Sequence, residues 1–293
     1  MLDALASADG VTWLSISVKT MVYATTLVSL GSVLVILSLR SLPETERERF
    51  RKVAALMAFA AAALSLLRLP IRASFLMGGT WAGATEPMML EMVMNSPLGD
   101  SIFLRLIGLA LICTILLRNR IWHRVAALGV FLVAVSFALR GHALEEPRLL
   151  LGGLVTLHIL GLSFWIGVFW PLHRLSTQGK LADAGALAEE FGQKATWILS
   201  GLVLAGIITL LLLTGGRLSL LTSAYNQFFA IKLAFFACVL ALAAWNKYRL
   251  TPDLLGEVSG SGLRMSQSLR IEAILLAIIL LVTASLSTVS SPQ

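Results

Sequence analysis

Eight long apolar runs constrain this 293-residue chain more than any other feature. They lie at about 12–39, 53–76, 101–117, 121–139, 150–171, 196–215, 226–245 and 270–289. Each is close to the roughly 20 residues that a helix needs to cross a bilayer, and none alternates as a membrane β-strand does. Charged residues make up 13% of the chain, against roughly 25% in a soluble domain. We therefore predict an all-α, polytopic integral membrane helix bundle of about eight transmembrane helices, forming one domain over residues 1–293.

Basic residues are concentrated in alternate loops of this predicted bundle. Fifteen lie in the loops within 40–52, 118–124, 174–194 and 247–270, whereas the opposite loops hold about five. Cytoplasmic loops carry the excess of lysine and arginine, so both termini are predicted to be extracytoplasmic. The first residues carry Asp3 and Asp9 and no basic stretch, so we expect the first run to remain as a span. The net charge of +7 follows from this asymmetry, and we expect no nucleic-acid partner.

Two histidines mark the extracytoplasmic side of the predicted membrane domain. His142 lies where the fourth run ends, and His158 lies well inside the fifth. An ionisable side chain inside a membrane is by default a functional-site hypothesis. About eight residues of helix five, or roughly 12 Å of helical rise, separate the depths of the two side chains. This spacing suits an entry site and a deeper site.

The outer connection at 77–100 is rich in methionine. Pro87 is placed to start a short helix at its first position, on which Met88 and Met92 share a face and Met94 lies away from it. Thioether and imidazole ligands suit copper, so we predict a copper site or path formed by His142, His158, Met88, Met92 and Met94. Structural roles remain open for each: an interfacial helix for the methionines, a helix cap for His142, and a bond to a backbone carbonyl for His158.

Four basic residues map to the outer half of the predicted membrane domain: Lys19, Arg68, Arg105 and Lys232. Buried charges must be paired or solvated, and this set suits an anion such as a haem propionate, a quinol headgroup or a lipid phosphate. Two histidines on neighbouring helices are also what a bis-imidazole haem requires. The alternative function is therefore a b-type haem or quinol-linked membrane electron carrier that uses the same histidines.

Three further residues are placed on the cytoplasmic side. His123 and His173 each precede an arginine, which favours solvated loop positions over release sites for an ion. Glu272 is expected in the first turn of the last helix, where an acid complements the helix dipole. The sequence contains no P-loop, nucleophile elbow, HExxH or CxxC motif, so we expect no enzyme.

The order and spacing of several short motifs resemble the copper resistance D family, the CopD and PcoD proteins of bacterial inner membranes. The central motifs are Gly141–His142–Ala143, Leu157–His158, Trp165–Ile166–Gly167 and Pro171–Leu172. Others lie upstream and downstream, at Pro97–Leu98–Gly99, Arg105, Phe191, Ile231–Lys232–Leu233, Asn246, Leu250, Pro252 and Leu269–Arg270–Ile271–Glu272. The resemblance spans about 53–290 and weakens over the first helix.

The resemblance implies a multi-pass protein of the bacterial inner membrane that handles copper in homeostasis or resistance. It implies that His142 and His158 belong to a metal site, and that a periplasmic CopC-like protein donates copper. Some relatives carry a fused periplasmic copper-binding domain, and we expect none in this protein. We therefore expect a membrane copper-binding protein that takes the ion from the periplasmic side and mediates its import.

Overall fold

The fold was described from a computed structural model. It covers the backbone of residues 9–140, 146–214 and 224–289, and the side chains of these residues apart from 209–232 and 289. Within these ranges the chain has no strand. Ten α-helices follow in order: α1 (Gly10–Ser38), α2 (Glu44–Leu76), α3 (Pro87–Met94), α4 (Pro97–Ile112), α5 (Arg120–Ala138), α6 (Arg148–Thr177), α7 (Leu181–Thr214), α8 (Ala224–Trp245), α9 (Thr251–Leu255) and α10 (Ser261–Val289).

Eight helical segments of this described part are long and apolar enough to cross a membrane. They coincide with the eight predicted runs, so the predicted all-α, polytopic membrane fold is confirmed. The two short helices, α3 and α9, lie in connections between these segments. Helix α8 continues through a π-helical turn at Asn246–Leu250 before α9 begins.

Several helices begin well before the apolar run that predicted them. Helix α2 begins at Glu44 rather than near 53, and α7 begins at Leu181 rather than near 196. Hydropathy locates only the part of a helix that matches the hydrocarbon core. The polar first turns of α2 are held by ion pairs three residues apart, such as Arg49 Nη1 to Glu46 Oε1 at 2.6 Å and Arg47 Nε to Glu44 Oε2 at 3.3 Å.

Proline and serine set the boundaries of the short outer helix and of its neighbour. Pro87 is the first residue of α3, as predicted. The hydroxyl of Ser96 accepts a hydrogen bond from the Leu98 amide at 3.2 Å, and this cap begins α4 with Pro97 at its first position. Serine caps satisfy an amide that has no partner within the helix, so α4 starts four residues before the predicted run.

The chain divides into two compact units, each built from separate stretches of sequence. The first unit comprises Met1–Thr26, Ala55–Ile159 and Leu280–Gln293. Inside it, α4 and α5 approach closely through two glycines: a Cβ on Gly108 would lie 2.7 Å from the Gly129 carbonyl oxygen. Only a residue without a side chain allows two helix backbones to come this near.

The second unit comprises Leu27–Ala54 and Leu160–Ile279. Trp165, Val239 and Leu276 form the centre of its apolar core. The ring of Phe191 lies edge-on to Trp165, with centroids 6.3 Å apart, in the arrangement that aromatic pairs favour. This core surrounds the buried carboxylate described below.

Candidate functional site

The predicted methionine segment forms an amphipathic helix within the first unit. Val93 of α3 is buried against Ala73, Leu98 and Ile102, and Met89 and Leu90 pack on the same cluster. The three methionines predicted as copper ligands lie outside this buried face: the exposed fractions are 75% for Met88, 50% for Met92 and 57% for Met94. The apolar contacts fix the helix, and three thioethers are left accessible.

Of the two predicted histidine ligands, only His158 belongs to the described residues. His142 lies outside the described residues. His158 lies about ten residues into α6, in the first unit, and its side chain is exposed. Ten residues correspond to roughly 15 Å of helical rise, which agrees with a position inside the span.

No three His, Cys, Asp or Glu side chains of the described residues come together in a way that would hold a metal ion. Methionine is not one of these four residue types, and His142 lies outside the described residues. Copper ligation by Met88, Met92, Met94, His142 and His158 therefore stays a prediction. The free thiols of Cys113 and Cys238 are half-buried and exposed, respectively.

The two histidines predicted in solvated loops lie in helices instead. His123 is in the first turn of α5 and His173 is near the end of α6, and both are half-buried. The Nδ1 atom of His173 is buried and has no hydrogen-bond partner among the described residues. The arginine beside each histidine predicts a solvated loop. His123, however, lies inside the apolar run at 121–139, and α6 continues to Thr177, past the run that ends near 171.

The basic residues of the outer half are brought together by the first unit. Lys19, Arg68, Arg72 and Arg140 line a cavity of about 400 Å³, which we call the basic cavity. Lys19 is 5% exposed and its Nζ donates to the Ser287 carbonyl oxygen at 2.9 Å. Lys19 and Arg68 were predicted to lie at one depth. Arg72 and Arg140, which were predicted only as loop residues, join them in the lining. The side chain of Lys232 lies outside the described set.

Arg105 does not line the basic cavity and is buried between α4 and α5. Its guanidinium lies over the ring of Phe137, 4.3 Å from the centroid. Its Nε donates to the Ser136 hydroxyl at 3.1 Å, and its Nη2 donates to the Ser101 hydroxyl at 3.4 Å. The ring face and the two hydroxyls thus replace part of the hydration that this planar cation loses on burial.

A buried carboxylate lies in the second unit, at Glu272. Its Oε2 accepts a hydrogen bond from Trp165 Nε1 at 3.4 Å, and its Oε1 accepts from the Asn246 side-chain amide. The prediction that Glu272 is a first-turn acid is wrong, because α10 begins at Ser261 and Glu272 lies three turns further on. Glu272 borders an apolar cavity of about 210 Å³ that Phe169, Leu199 and other side chains of this unit line.

Family models match two long stretches of the chain. A model described as the copper resistance protein D-like N-terminal domain matches residues 3–147, and one described as copper resistance protein D matches residues 185–286. The chain belongs to the copper resistance D family. No curated protein and no solved structure that was compared matches it.

The two matches locate the candidate residues of this copper resistance D protein. The methionines of α3, His142 and all four cations of the basic cavity fall within 3–147, whereas Glu272 falls within 185–286. His158 lies in 148–184, between the matches. Sequence reasoning missed Trp165 and Asn246 as partners of Glu272, because a tryptophan and an asparagine about 80 residues apart carry no signal of contact.

Proposed function

We propose that this protein takes copper from the extracytoplasmic side of a bacterial inner membrane and mediates its import. Membership of the copper resistance D family supports copper as the transported ion. The observation that carries the entry site is the exposure of Met88, Met92 and Met94 on a helix whose other side is fixed in the core. Thioethers are soft ligands and prefer Cu(I).

Transfer along the protein would proceed by ligand exchange. The methionines capture the ion, and His142 and His158 accept it further in. Each site has to bind weakly enough to release copper to the next. His158 is exposed on the surface of α6. A CopC-like periplasmic protein is the proposed donor, and neither an enzymatic reaction nor a nucleic acid is part of the proposal.

The capture step is tested by replacing Met88, Met92 and Met94 together by leucine, which keeps volume and apolarity. We expect Cu(I) affinity, measured in detergent against a competing chelator, to fall by roughly tenfold or more, and Cu(II) affinity to fall less. The control is Met21→Leu, which removes a thioether that is 54% exposed on α1. An equal loss for both ions would show that the segment matters only for folding.

The deeper site is tested by His158→Ala. We expect loss of tight copper binding and of uptake into liposomes, since the variant removes the predicted imidazole ligand. Unchanged copper stoichiometry and uptake in this variant would refute the assignment of His158. Far-UV circular dichroism and size-exclusion chromatography confirm that the variant is folded.

The haem or quinol-linked alternative is decided on the same protein. An absorption spectrum and metal analysis are recorded on protein purified in mild detergent from copper-supplemented cells. Copper handling is supported if the protein holds near-stoichiometric copper and shows no Soret band, and if the His142→Ala and His158→Ala variants lose this copper. A Soret band near one haem per chain, lost in those variants, would overturn it.

A further inference from the structure

Four positive side chains surround the basic cavity, and no acidic side chain is among its described lining residues. Lys19 comes from α1, Arg68 and Arg72 come from α2, and Arg140 follows the end of α5. Charges gathered in a partly desolvated cavity repel one another unless a counter-charge is present. An arrangement of this kind is stable when an anion occupies it.

Hydrogen-bond donors in the basic cavity are only partly used. The Nη1 atom of Arg68 is buried and has no hydrogen-bond partner among the described residues. Lys19 has three donors, and one of them is bound to the Ser287 carbonyl. Buried donors without acceptors cost free energy, which a ligand with several acceptor oxygens would recover.

The beginning of α4 adds to the positive potential of the basic cavity. Ser96, its cap, and Pro97, its first residue, both line the cavity. The first turn of a helix carries partial positive charge, which favours an anion. The hydroxyls of Ser15 and Thr288 complete the polar lining.

We propose that the basic cavity binds a phosphate group. Its cations come from three separate elements, so a tetrahedral oxyanion with three or four acceptor oxygens matches them better than a planar carboxylate with two. Arginine forks also pair with phosphate through two parallel bonds. The proposal does not use copper, because none of the predicted copper ligands among the described residues (Met88, Met92, Met94 and His158) lines the cavity.

The phosphate has two accessible sources. The lining residues lie in the first third of α1, at the start of α4, in the last third of α2 and near the ends of α5 and α10, which is the outer half of the predicted membrane domain. An anionic phospholipid reaches it from the bilayer, and inorganic phosphate reaches it from the aqueous side. Both present the same oxygens to the same side chains.

The experiment uses the full chain purified in mild detergent, with Arg68→Gln and Arg72→Gln as cavity variants. Arg148→Gln is the matched control, because Arg148 belongs to the same unit, is exposed and does not line the cavity. Calorimetry measures binding of inorganic phosphate. Native mass spectrometry measures retention of added phosphatidylglycerol and phosphatidylcholine. Arg72 is exposed, so its variant remains informative if Arg68→Gln fails to fold.

Two results support the site and identify its source. Saturable phosphate binding that falls roughly tenfold to hundredfold in the cavity variants, and not in the control, indicates a free anion. Retention of phosphatidylglycerol over phosphatidylcholine, lost in the cavity variants and kept in the control, indicates a lipid. Absence of both, or the same loss in Arg148→Gln, overturns the proposal.

Discussion

Among the described residues of the first unit, the buried cations Lys19 and Arg105 are held by neutral oxygens rather than by acids. Lys19 donates to a backbone carbonyl, and Arg105 donates to the hydroxyls of Ser136 and Ser101 while it covers the ring of Phe137. Hydroxyls and carbonyls satisfy donors but leave the charge in place. The positive charge of these two side chains is therefore not neutralised by the described residues that bind them.

Glu272 is the opposite case, because a single carboxylate satisfies two donors in the second unit. We predict that Glu272→Leu lowers the free energy of unfolding by roughly 2–3 kcal/mol, since the buried Trp165 Nε1 and the half-buried Asn246 amide lose their acceptor. Glu272→Gln keeps one acceptor oxygen and should lose about half as much. Denaturant titration in detergent, followed by circular dichroism, measures both.

The control for Glu272 is Glu189→Leu, at an exposed position of α7 in the same unit. It removes a carboxylate that is in water, so its effect should be within about 0.5 kcal/mol. If Glu272→Leu is as stable as the unmodified chain, the two hydrogen bonds to this carboxylate do not stabilise the fold.

At the scale of elements, glycine determines how closely two helices of the second unit approach. A Cβ on Gly31 of α1 would lie 2.2 Å from the Ser163 carbonyl oxygen, and one on Gly167 of α6 would lie 2.5 Å from the Gly31 carbonyl oxygen. These backbones are in direct contact. The neighbouring atoms are main-chain atoms and cannot rotate away.

We predict that Gly167→Ala destabilises the protein by roughly 1–3 kcal/mol, because the added methyl group forces α1 and α6 apart. Gly201→Ala, in α7, is the matched control, since no described atom lies within 4 Å of the added carbon. Melting temperatures in detergent compare the two variants. A loss of stability in Gly201→Ala equal to that in Gly167→Ala would show that helix contact is not the cause.

Sequence reasoning was most accurate for the membrane spans and for the short outer helix. Hydropathy locates a span because the bilayer requires about 20 apolar residues in succession, and Pro87 marked the start of α3 by its fixed backbone angle. The polar extensions of α2, α7 and α10 were missed because charged and polar residues carry little hydropathy signal. In α2 and α7, ion pairs three or four residues apart stabilise these turns, such as Arg49 to Glu46 and Lys194 to Glu190.

At the scale of the whole molecule, the sequence does not predict which helices pack against one another. The spans are apolar on most sides, so no polar face indicates which helices pack together. Each unit combines stretches far apart in sequence, and contacts such as Trp165 to Glu272 depend on that pairing. A single domain over 1–293 and the copper ligands His142 and His158 remain predictions.

The charge asymmetry of the loops makes a prediction about orientation. In a background without Cys113 and Cys238, Thr85→Cys should react with a membrane-impermeant maleimide on intact spheroplasts, because its loop is predicted to be extracytoplasmic. Ser259→Cys should react only after the membrane is opened. Both residues are exposed, so accessibility does not separate them. The reverse labelling pattern would place both termini in the cytoplasm.

Thioethers that are open to copper are equally open to peroxide. Met88, Met92 and Met94 are at least half exposed, whereas Met265 is fully buried. Oxidation converts methionine to a polar sulfoxide, which is no longer a soft ligand. Peptide mass mapping after mild peroxide treatment should find the sulfoxide at these three positions and not at Met265, together with loss of Cu(I) capture. On the proposed function, copper entry would then depend on how fast the cell repairs oxidised methionine.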